Sequence, residues 1–289
     1  MDLRQLRYAL AVVDEGTFTA AAAACHVAQP SLSQAVAALE RELGVALFER
    51  LGRRVELTAA GAAFVPAARE ALRAVANIVA DVGAVIGLVA GHLDLVALPT
   101  LAVDPVTPLV GAFRREHPGV VVRLAHPDDT GELLDRVRSG ASELGITELP
   151  LRAARIVSRD LLRQELVAVL PPGSPAPAHL RAAELAVRPM VMMPVGTSTR
   201  DALDAALGRS GRRLATAVET DQREAIGPLV LAGAGAAVLP RPMADVVAAH
   251  GGVVVPLEPP LWRRIGIVHR DAPLSPAARA FLALALARA

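Results

Sequence analysis

The sequence predicts an α/β protein with an all-helical, winged helix-turn-helix start, one long linking helix and two small α/β subdomains sharing a cleft. Three observations carry this. Residues 1–58 hold short helical patterns with tight turns, residues from 58 to about 88 hold one long helical pattern, and from 92 onward strands alternate with helices. A length of 289 residues suits about two domains and leaves ample chain for a large core.

Composition narrows the class. Charged residues make up 20% of the chain and the net charge is +1, so it is not a disordered polyelectrolyte. All 30 basic residues are arginine, a bias given no mechanistic weight. The single cysteine, Cys25, excludes an internal disulfide and a Cys-rich metal site, and it suits a reducing compartment. Met1-Asp2-Leu3-Arg4 lacks the basic-then-apolar pattern of a secretory signal. The uncharged run 16–39 is too polar, and 225–240 too short and broken, for a bilayer span of about 20 apolar residues. The expectation is a soluble cytoplasmic protein that engages no membrane.

Each element has its own signature. Leu3, Leu6, Leu10 and Val13 recur at helical spacing until Gly16 breaks the run. Thr19 is read as the N-cap of a short Ala-rich helix ending near Cys25. After the turn His26-Val27-Ala28, a third helix opens around Gln29-Pro30-Ser31, where a proline costs no hydrogen bond. Leu32, Val36, Leu39 and Leu43 form its apolar stripe, and Gly44 ends it. Two helices joined by a short turn, the second with an exposed polar start, form a helix-turn-helix. Gly52 between two short extended runs predicts a small hairpin, the wing, and Thr58 caps the long helix.

That long helix bears two stripes. Phe64, Ala68, Ala71, Val75, Ile78, Val82 and Val85 alternate steps of four and three, and Val65, Leu72, Val79 and Ile86 repeat every seven. A heptad seam needs a partner helix, which predicts a homodimer. Gly83, Gly87 and Gly91 weaken its end. Beyond it, strands are expected at 93–98, 120–124, 144–147, 165–170, 190–193, 218–220, 236–239, 253–257 and 265–269, with a closing helix at 276–288. The alternation predicts a mostly parallel sheet with helices on both faces. The expected limits are 1–58 for the winged unit, 59–90 for the linker helix and 91–289 for the α/β part. Within the α/β part, subdomain I covers about 91–161 and 267–289, and subdomain II about 162–266.

Residues 1–58 contain six arginines and seven acidic residues, a net −1, so bulk charge does not argue for nucleic acid. Distribution does. Arg50–Arg54 carries three arginines and no acid at the wing, and no acid lies between Gln29 and Leu39. A basic wing neutralises phosphates while an uncharged helix enters the major groove. With Leu32 and Val36 buried, Gln29, Ser33 and Gln34 face out, and a glutamine amide matches adenine N6 and N7.

Residues 1–62 closely resemble the winged helix-turn-helix of LysR-type transcriptional regulators. The resemblance runs through Leu3-Arg4-Gln5-Leu6, Phe18-Thr19-Ala20-Ala21-Ala22, Gln29-Pro30-Ser31-Leu32-Ser33-Gln34, the run from Leu39 to Arg50, and Leu57-Thr58-Ala59-Ala60-Gly61. It continues less specifically through Gly91-His92-Leu93 and the run from Leu229 to Pro240. The resemblance implies a homodimer or homotetramer, a C-terminal domain like a periplasmic binding protein that senses a small molecule, and DNA contacts from Gln29, Pro30, Ser31, Ser33, Gln34, Arg50, Arg53 and Arg54. It departs from the family pattern at Ala28, where Ser or Thr usually caps, at Gln34, usually Arg, and at Ala37, often basic. Fewer cations should flatten the salt dependence of binding.

For the effector, hydroxyls at helix starts are the candidates: Thr100, Thr130, Thr197, Ser198 and Thr199. Helix N-termini present free N–H groups and favour anions, so a small anionic organic effector is expected. No cofactor, metal or catalytic residue is expected. Gly233-Ala234-Gly235 lacks the third glycine of a dinucleotide fingerprint and follows a helix. The histidines show no ligand spacing, His126 with Asp128 and Asp129 reads as a solvated loop, and neither GxSxG nor a P-loop occurs. The competing reading is an α/β ligand-binding protein or enzyme whose amino-terminal helices serve assembly only. The wing arginines and Gln-Pro-Ser-Leu-Ser-Gln favour the regulator.

Overall fold

The computed structural model describes residues 1–51, 54–85, 91–151, 153–208 and 214–288. The amino-terminal unit consists of α1 (Leu3–Glu15), α2 (Phe18–Ala24), α3 (Gln29–Leu43), the hairpin β1 (Phe48–Leu51) and β2 (Arg54–Leu57), and the start of the long helix α4 (Ala59–Val85). Gly16 and Gly44 end α1 and α3 in the left-handed conformation, at φ 70° and 73°, as their positions in the sequence predict. The cap of α2 is Thr17 rather than Thr19: the Thr17 hydroxyl accepts from Ala20 N–H at 3.1 Å, and Thr19 falls inside the first turn. Leu32, Val36 and Leu39 are buried, but Leu43 is exposed, because Gly44 turns the chain away before that last position reaches the core.

Thr58 caps α4 as expected, accepting from Gly61 N–H at 3.0 Å and donating to the Ala46 carbonyl at 2.7 Å. A side chain at Gly61 would collide with the Leu47 carbonyl, so this corner requires glycine. The first turns of α4 pack Val65, Ala68 and Leu72 on Leu6, Leu10 and Val13 of α1. Further on, Val75 and Ile78 are exposed, Ile78 at 61%. The later members of both stripes, and the glycine at 87, lie outside the described residues or side chains. Pro66 sits within α4 without ending it.

The sensor follows as β3 (Gly91–Ala97), α5 (Pro99–Leu101), a wide turn at Ala102–Val106, α6 (Thr107–Glu116), β4 (Val120–Ala125), α7 (Thr130–Ser139), β5 (Leu144–Leu149), β6 (Ile156–Leu170), α8 (Ala182–Leu185), β7 (Pro189–Met192), α9 (Ser198–Gly208), β8 (Ala215–Glu219), α10 (Arg223–Leu231), β9 (Ala237–Pro240), α11 (Arg241–Ala249), β10 (Val253–Val255), β11 (Leu261–Arg270) and α12 (Pro276–Ala287). The large sheet has the order β10-β6-β11-β5-β3-β4, with β9 also on β6. It is mixed, not mostly parallel. β3 pairs parallel with β4 and β5, whereas β11 runs antiparallel to β5 and β6, and β9 and β10 antiparallel to β6. Strand spacing alone carries no direction, and the long return strand β11 reverses it.

Two cores flank β6 and β11. One gathers Leu93, Leu95, Phe113, Leu133, Ile146, Ile267 and Phe281, with Phe113 and Phe281 edge to face at 5.4 Å. The other side holds two clusters, around Leu166, Leu185 and Met190 and around Val167, Ile226 and Val247. Both long strands cross from one core to the other. β6 is 15 residues long and starts well before its apolar run, because Arg159, Asp160 and Arg163 mask the early part of the strand in the sequence.

α4 also touches the sensor. Arg73 donates to the Gly140 carbonyl at 2.7 Å, at the end of α7, and Arg270 at the end of β11 pairs with Glu70 at 3.3 Å. The Arg73 guanidinium, largely out of water, has its pKa lowered by that burial and by the nearby Arg270 charge.

Candidate nucleic-acid interface and sensor cleft

The sequence folds α3 so that one face is committed and the other free. Leu32, Val36 and Leu39 lock it to α1 and α2. Gln29, Pro30, Ser31, Gln34, Ala37 and Arg41 are exposed, and Pro30, Gln34, Ala37 and Arg41 follow one another at steps of four and three along one outer face. Ser33 is half-buried and accepts from Gln29 Nε2 at 2.7 Å. The helix start carries no acid and no side-chain cap, since Ala28 occupies the N-cap; its amides face outward unopposed by a carboxylate.

The wing is fixed to this frame. Within α3, the Glu40 carboxylate accepts from the amides of Leu47 at 2.7 Å and Phe48 at 3.2 Å. Phe48 meets Phe18 edge to face at 5.8 Å, and Val55 N–H donates to the Gly16 carbonyl at 3.3 Å. The hairpin pairs Phe48 with Leu57 and Leu51 with Arg54. Arg50 and Arg54 therefore sit on its two strands; their side chains, and residue 53 altogether, lie outside the described part. The sequence does not single out Glu40, the residue that aims the wing, because it reads as one more charge on an amphipathic helix.

In the sensor, Thr100 is buried at the carboxyl end of β3 and accepts from Arg263 Nη2 at 3.0 Å. Arg263 donates through Nε to Gln164 Oε1 at 2.8 Å, and Gln164 Nε2 donates to Asp104 at its carboxylate (2.7 Å) and its carbonyl (3.1 Å). Arg263 is 2% exposed and Gln164 3%. Burial pushes the Arg263 pKa down to about 10, Glu148 opposing and Arg223 adding to the shift, so the group stays charged at neutral pH. This network joins β6 and β11 to the segment that follows β3. The sequence conceals it: Arg263 lies between Trp262 and Arg264, and Gln164 between Arg163 and Glu165, where alternation alone does not tell a buried polar group from a solvated one.

The other predicted hydroxyls are placed as follows. Thr130 opens α7, whose cap is Asp129, accepting from Glu132 N–H at 2.8 Å; that carboxylate already complements the helix start. Thr197 donates to the Pro194 carbonyl at 2.9 Å. The Ser198 side chain lies outside the described residues. Thr199 borders a small void of about 30 Å³ beside Met192, Met193 and Leu203, the space of about one water. α9 packs beside β11, and α11 against the turn at 102–106, so the two subdomains meet across the network. A cleft of about 1220 Å³ opens elsewhere, between the amino-terminal unit and subdomain I, lined by Arg7, Asp14, Arg69, Arg73, Asp94 and Glu143 among others; none of the five hydroxyl residues borders it.

Parallel neighbours release their carboxyl ends on one edge, where open α/β sheets take ligands. β3 and β4 deliver Thr100 and Thr130 to one such edge, and β7 and β8 deliver Thr197–Thr199 and Thr220–Arg223 to another. A winged helix-turn-helix joined by a long helix to such a two-part cleft defines a DNA-binding regulator with a sensor domain. Residues 3–62 match the family described as "Bacterial regulatory helix-turn-helix protein, lysR family", and residues 87–289 match the "LysR substrate binding domain". The chain belongs to the LysR family: it is a transcriptional regulator with a DNA-binding helix-turn-helix and an effector-binding domain.

Among its relatives, a Mycobacterium leprae protein designated "Probable hydrogen peroxide-inducible genes activator" is 32% identical over 281 residues, covering 92% of this chain and 87% of that one. The HTH-type transcriptional regulator IlvR of Caulobacter vibrioides is 31% identical over 275 residues, covering 91% and 93%. In structure, a full-length single-substitution variant of OxyR from Pseudomonas aeruginosa superposes with a TM-score of 0.79 at 29% identity, covering 99% and 93%. These relatives are regulators rather than enzymes. Among the described residues no helix is long and apolar enough to cross a membrane.

Proposed function

We propose that the chain regulates promoters as a homodimer or homotetramer, reading operator DNA with α3 and the wing and adjusting that grip when a small organic effector enters the cleft between subdomains. One observation carries the reading: the start of α3 is polar, acid-free and open to solvent, while its apolar face is clamped to the core. Gln34 and Gln29 address base edges, Pro30, Ser31 and Ser33 shape and contact the groove, and Arg50, Arg53 and Arg54 neutralise phosphates. The working limits are 1–58 for DNA reading, 59–90 for the linker and 91–289 for the sensor, divided at 161/162 and 266/267.

Exposed Val75 and Ile78 on α4 supply the seam for a second copy. An Ile78→Asp substitution is expected to shift the protein toward monomer in sedimentation velocity, leaving each subunit folded by circular dichroism. The effector site is placed at the Thr100–Arg263–Gln164 network on one side and Thr197–Thr199 on the other, with Thr130 at the margin. The effector shifts the balance between two arrangements of the subdomains by its differential affinity for them. The mycobacterial relative's name points to peroxide, but residues 91–289 hold no cysteine, so this sensor does not work by thiol oxidation. The reading assigns the protein to the cytoplasm and gives it no catalytic role.

A mobility-shift experiment with duplexes from the gene's own neighbourhood tests the reading. Specific binding by the full-length protein, lost in Gln34→Ala and Arg53→Ala, supports it. Absence of any specific shift at low salt refutes it in favour of an assembly domain.

A further inference from the structure

One turn of α4 is tied in two directions. Arg69 pairs with Asp14 of α1, which holds the helix to the amino-terminal unit. Glu70 pairs with Arg270 at 3.3 Å, and Arg73, one turn beyond Arg69, donates through Nη1 to the Gly140 carbonyl at 2.7 Å. Both of these partners belong to subdomain I. The seat for Arg73 is built for it. At the end of α7 the Arg136 carbonyl takes the Ser142 amide at 3.0 Å and the Val137 carbonyl takes the Gly140 amide at 3.1 Å. The Gly140 carbonyl is left for a donor from outside the helix, and a cation there complements the helix dipole. Gly140 has φ 73°, and a Cβ at this position would collide with the Arg73 guanidinium.

The elements that end at this turn begin at the sensor cleft. α7 starts at Thr130, on the carboxyl edge of β3 and β4, and spans about 15 Å to the Arg73 seat. β11 carries Arg263 of the buried network near its start and Arg270 at its end, about 23 Å further on. Both are firmly packed: Leu133, Leu134 and Val137 of α7 share one core with Ile265, Ile267 and Val268 of β11. Gly145 lets α7 lie close on the sheet, since a Cβ there would stand 3.0 Å from the side chains of Leu133 and Val137. Behind α7, Glu143 N–H donates to the Asp94 carbonyl at 2.8 Å, and the Glu143 carboxylate accepts from Ser275 N–H at 2.9 Å. That corner therefore moves with subdomain I as a body. The joint is also incompletely satisfied. Arg73 Nη2 and Arg136 Nε are buried without a hydrogen-bond partner among the described residues. Unpaired buried donors are unfavourable, so a shifted seat that offers them acceptors competes with this one.

We propose that residues 69–73 of α4 form the joint that passes the state of the sensor cleft to the DNA-reading unit, with Arg73 and Glu70 as positioning residues. A shift of subdomain I moves the Gly140 carbonyl and Arg270; α4 follows through Arg73 and Glu70, and Arg69 carries α1 with it. The cleft end of this route rests on the effector placement proposed above, while the joint rests on the contacts of α4 itself.

The test needs no effector. Gly145→Ala sets a methyl against Leu133 and Val137 and obliges α7 to yield. Hydrogen exchange is read by mass spectrometry over α1 and residues 66–76 in full-length wild type, Gly145→Ala, Arg73→Gln and the double variant. Arg73→Gln should speed exchange over 66–76 about tenfold, and Arg73→Lys should restore part of the protection. Gly145→Ala should change exchange in both segments about threefold or more while Arg73 is present, and leave them unchanged in the Arg73→Gln background. A merely local brace would give independent effects. Asp129→Ala, which removes the cap of α7, replaces Gly145→Ala if that protein does not fold. Pushes that leave both segments unchanged, or act equally in the two backgrounds, would overturn the proposal. Affinity for duplexes from the gene's own neighbourhood is read on the same proteins and should follow the exchange; coupled exchange with unchanged affinity would overturn the passage to DNA. A wild type that binds no such duplex refutes the operator reading, whereas the exchange cycle still decides the joint.

Discussion

The reading helix and the sensor cleft use the same residue types in opposite ways. On α3, Gln34 is exposed and Ser31 stands exposed beside it. In the cleft, Gln164 is 3% exposed and both ends of its amide are engaged, by Arg263 and by Asp104. The contrast fits the role proposed for each surface. A base-reading amide must reach the groove uncommitted, whereas a buried amide without partners would cost about 1–3 kcal/mol, so the hinge of a sensor commits its polar groups to one another. On the proposed assignment, movement there means exchanging partners, with the effector as one of them.

The comparison breaks most readily at the support of the open face. Leu39→Ala empties a fully buried site and should cost about 2–5 kcal/mol. Calorimetry is expected to show the amino-terminal transition falling while the sensor transition holds, with operator binding lost. A single shared shift would mean that the two ends do not fold independently.

Next in size is Gln164→Leu, which leaves Arg263 and Asp104 without their bridge. Urea unfolding of the sensor should show a loss of about 2–3 kcal/mol. A neutral outcome would deny the network its structural role.

Gln34→Ala is the mirror experiment. Stability should change by less than about 0.5 kcal/mol, as for an exposed position. Affinity for the preferred operator should fall by about 1–3 kcal/mol, with non-specific binding nearly unchanged. Equal losses on all sequences would make Gln34 a positioning contact.

The smallest effect concerns Asp94, on β3 at the cleft between linker and sensor. Burial raises its carboxyl pKa, with Glu143 adding to the rise and Arg123 opposing it. The folded protein thus holds this proton more tightly than the unfolded chain. Stability should decline as pH rises from the ordinary carboxylate range through the raised value, and Asp94→Asn should flatten that slope in pH-dependent melting. An unchanged slope would assign it to other acids.

Legibility differs between the two regions for the same reason. Around α3, function is written in short-range signals: Gly16 and Gly44 as stops, Thr58 as a cap, Leu32, Val36 and Leu39 on one face. Local departures there are small, such as the cap at Thr17 in place of Thr19. In the sensor, apolar runs mark the strand positions but not their direction, and β6 and β11 extend well past theirs. Gln164 and Arg263, 99 residues apart in sequence, become neighbours only through that antiparallel pairing. Gly233 and Gly235, poor candidates for a nucleotide loop, serve a turn in which Gly235 approaches the Pro189 carbonyl so closely that an added Cβ would stand 2.6 Å from it.

The amino-acid order alone settled the amino-terminal helices, most of their caps, the polar opening of α3 and the two-part plan of the chain, because helix periodicity and turn chemistry act within a few residues of one another. The mixed sheet and the buried Thr100–Arg263–Gln164–Asp104 network came from tertiary structure only. Burial and pairing between distant segments depend on strand direction and register, which no local pattern encodes.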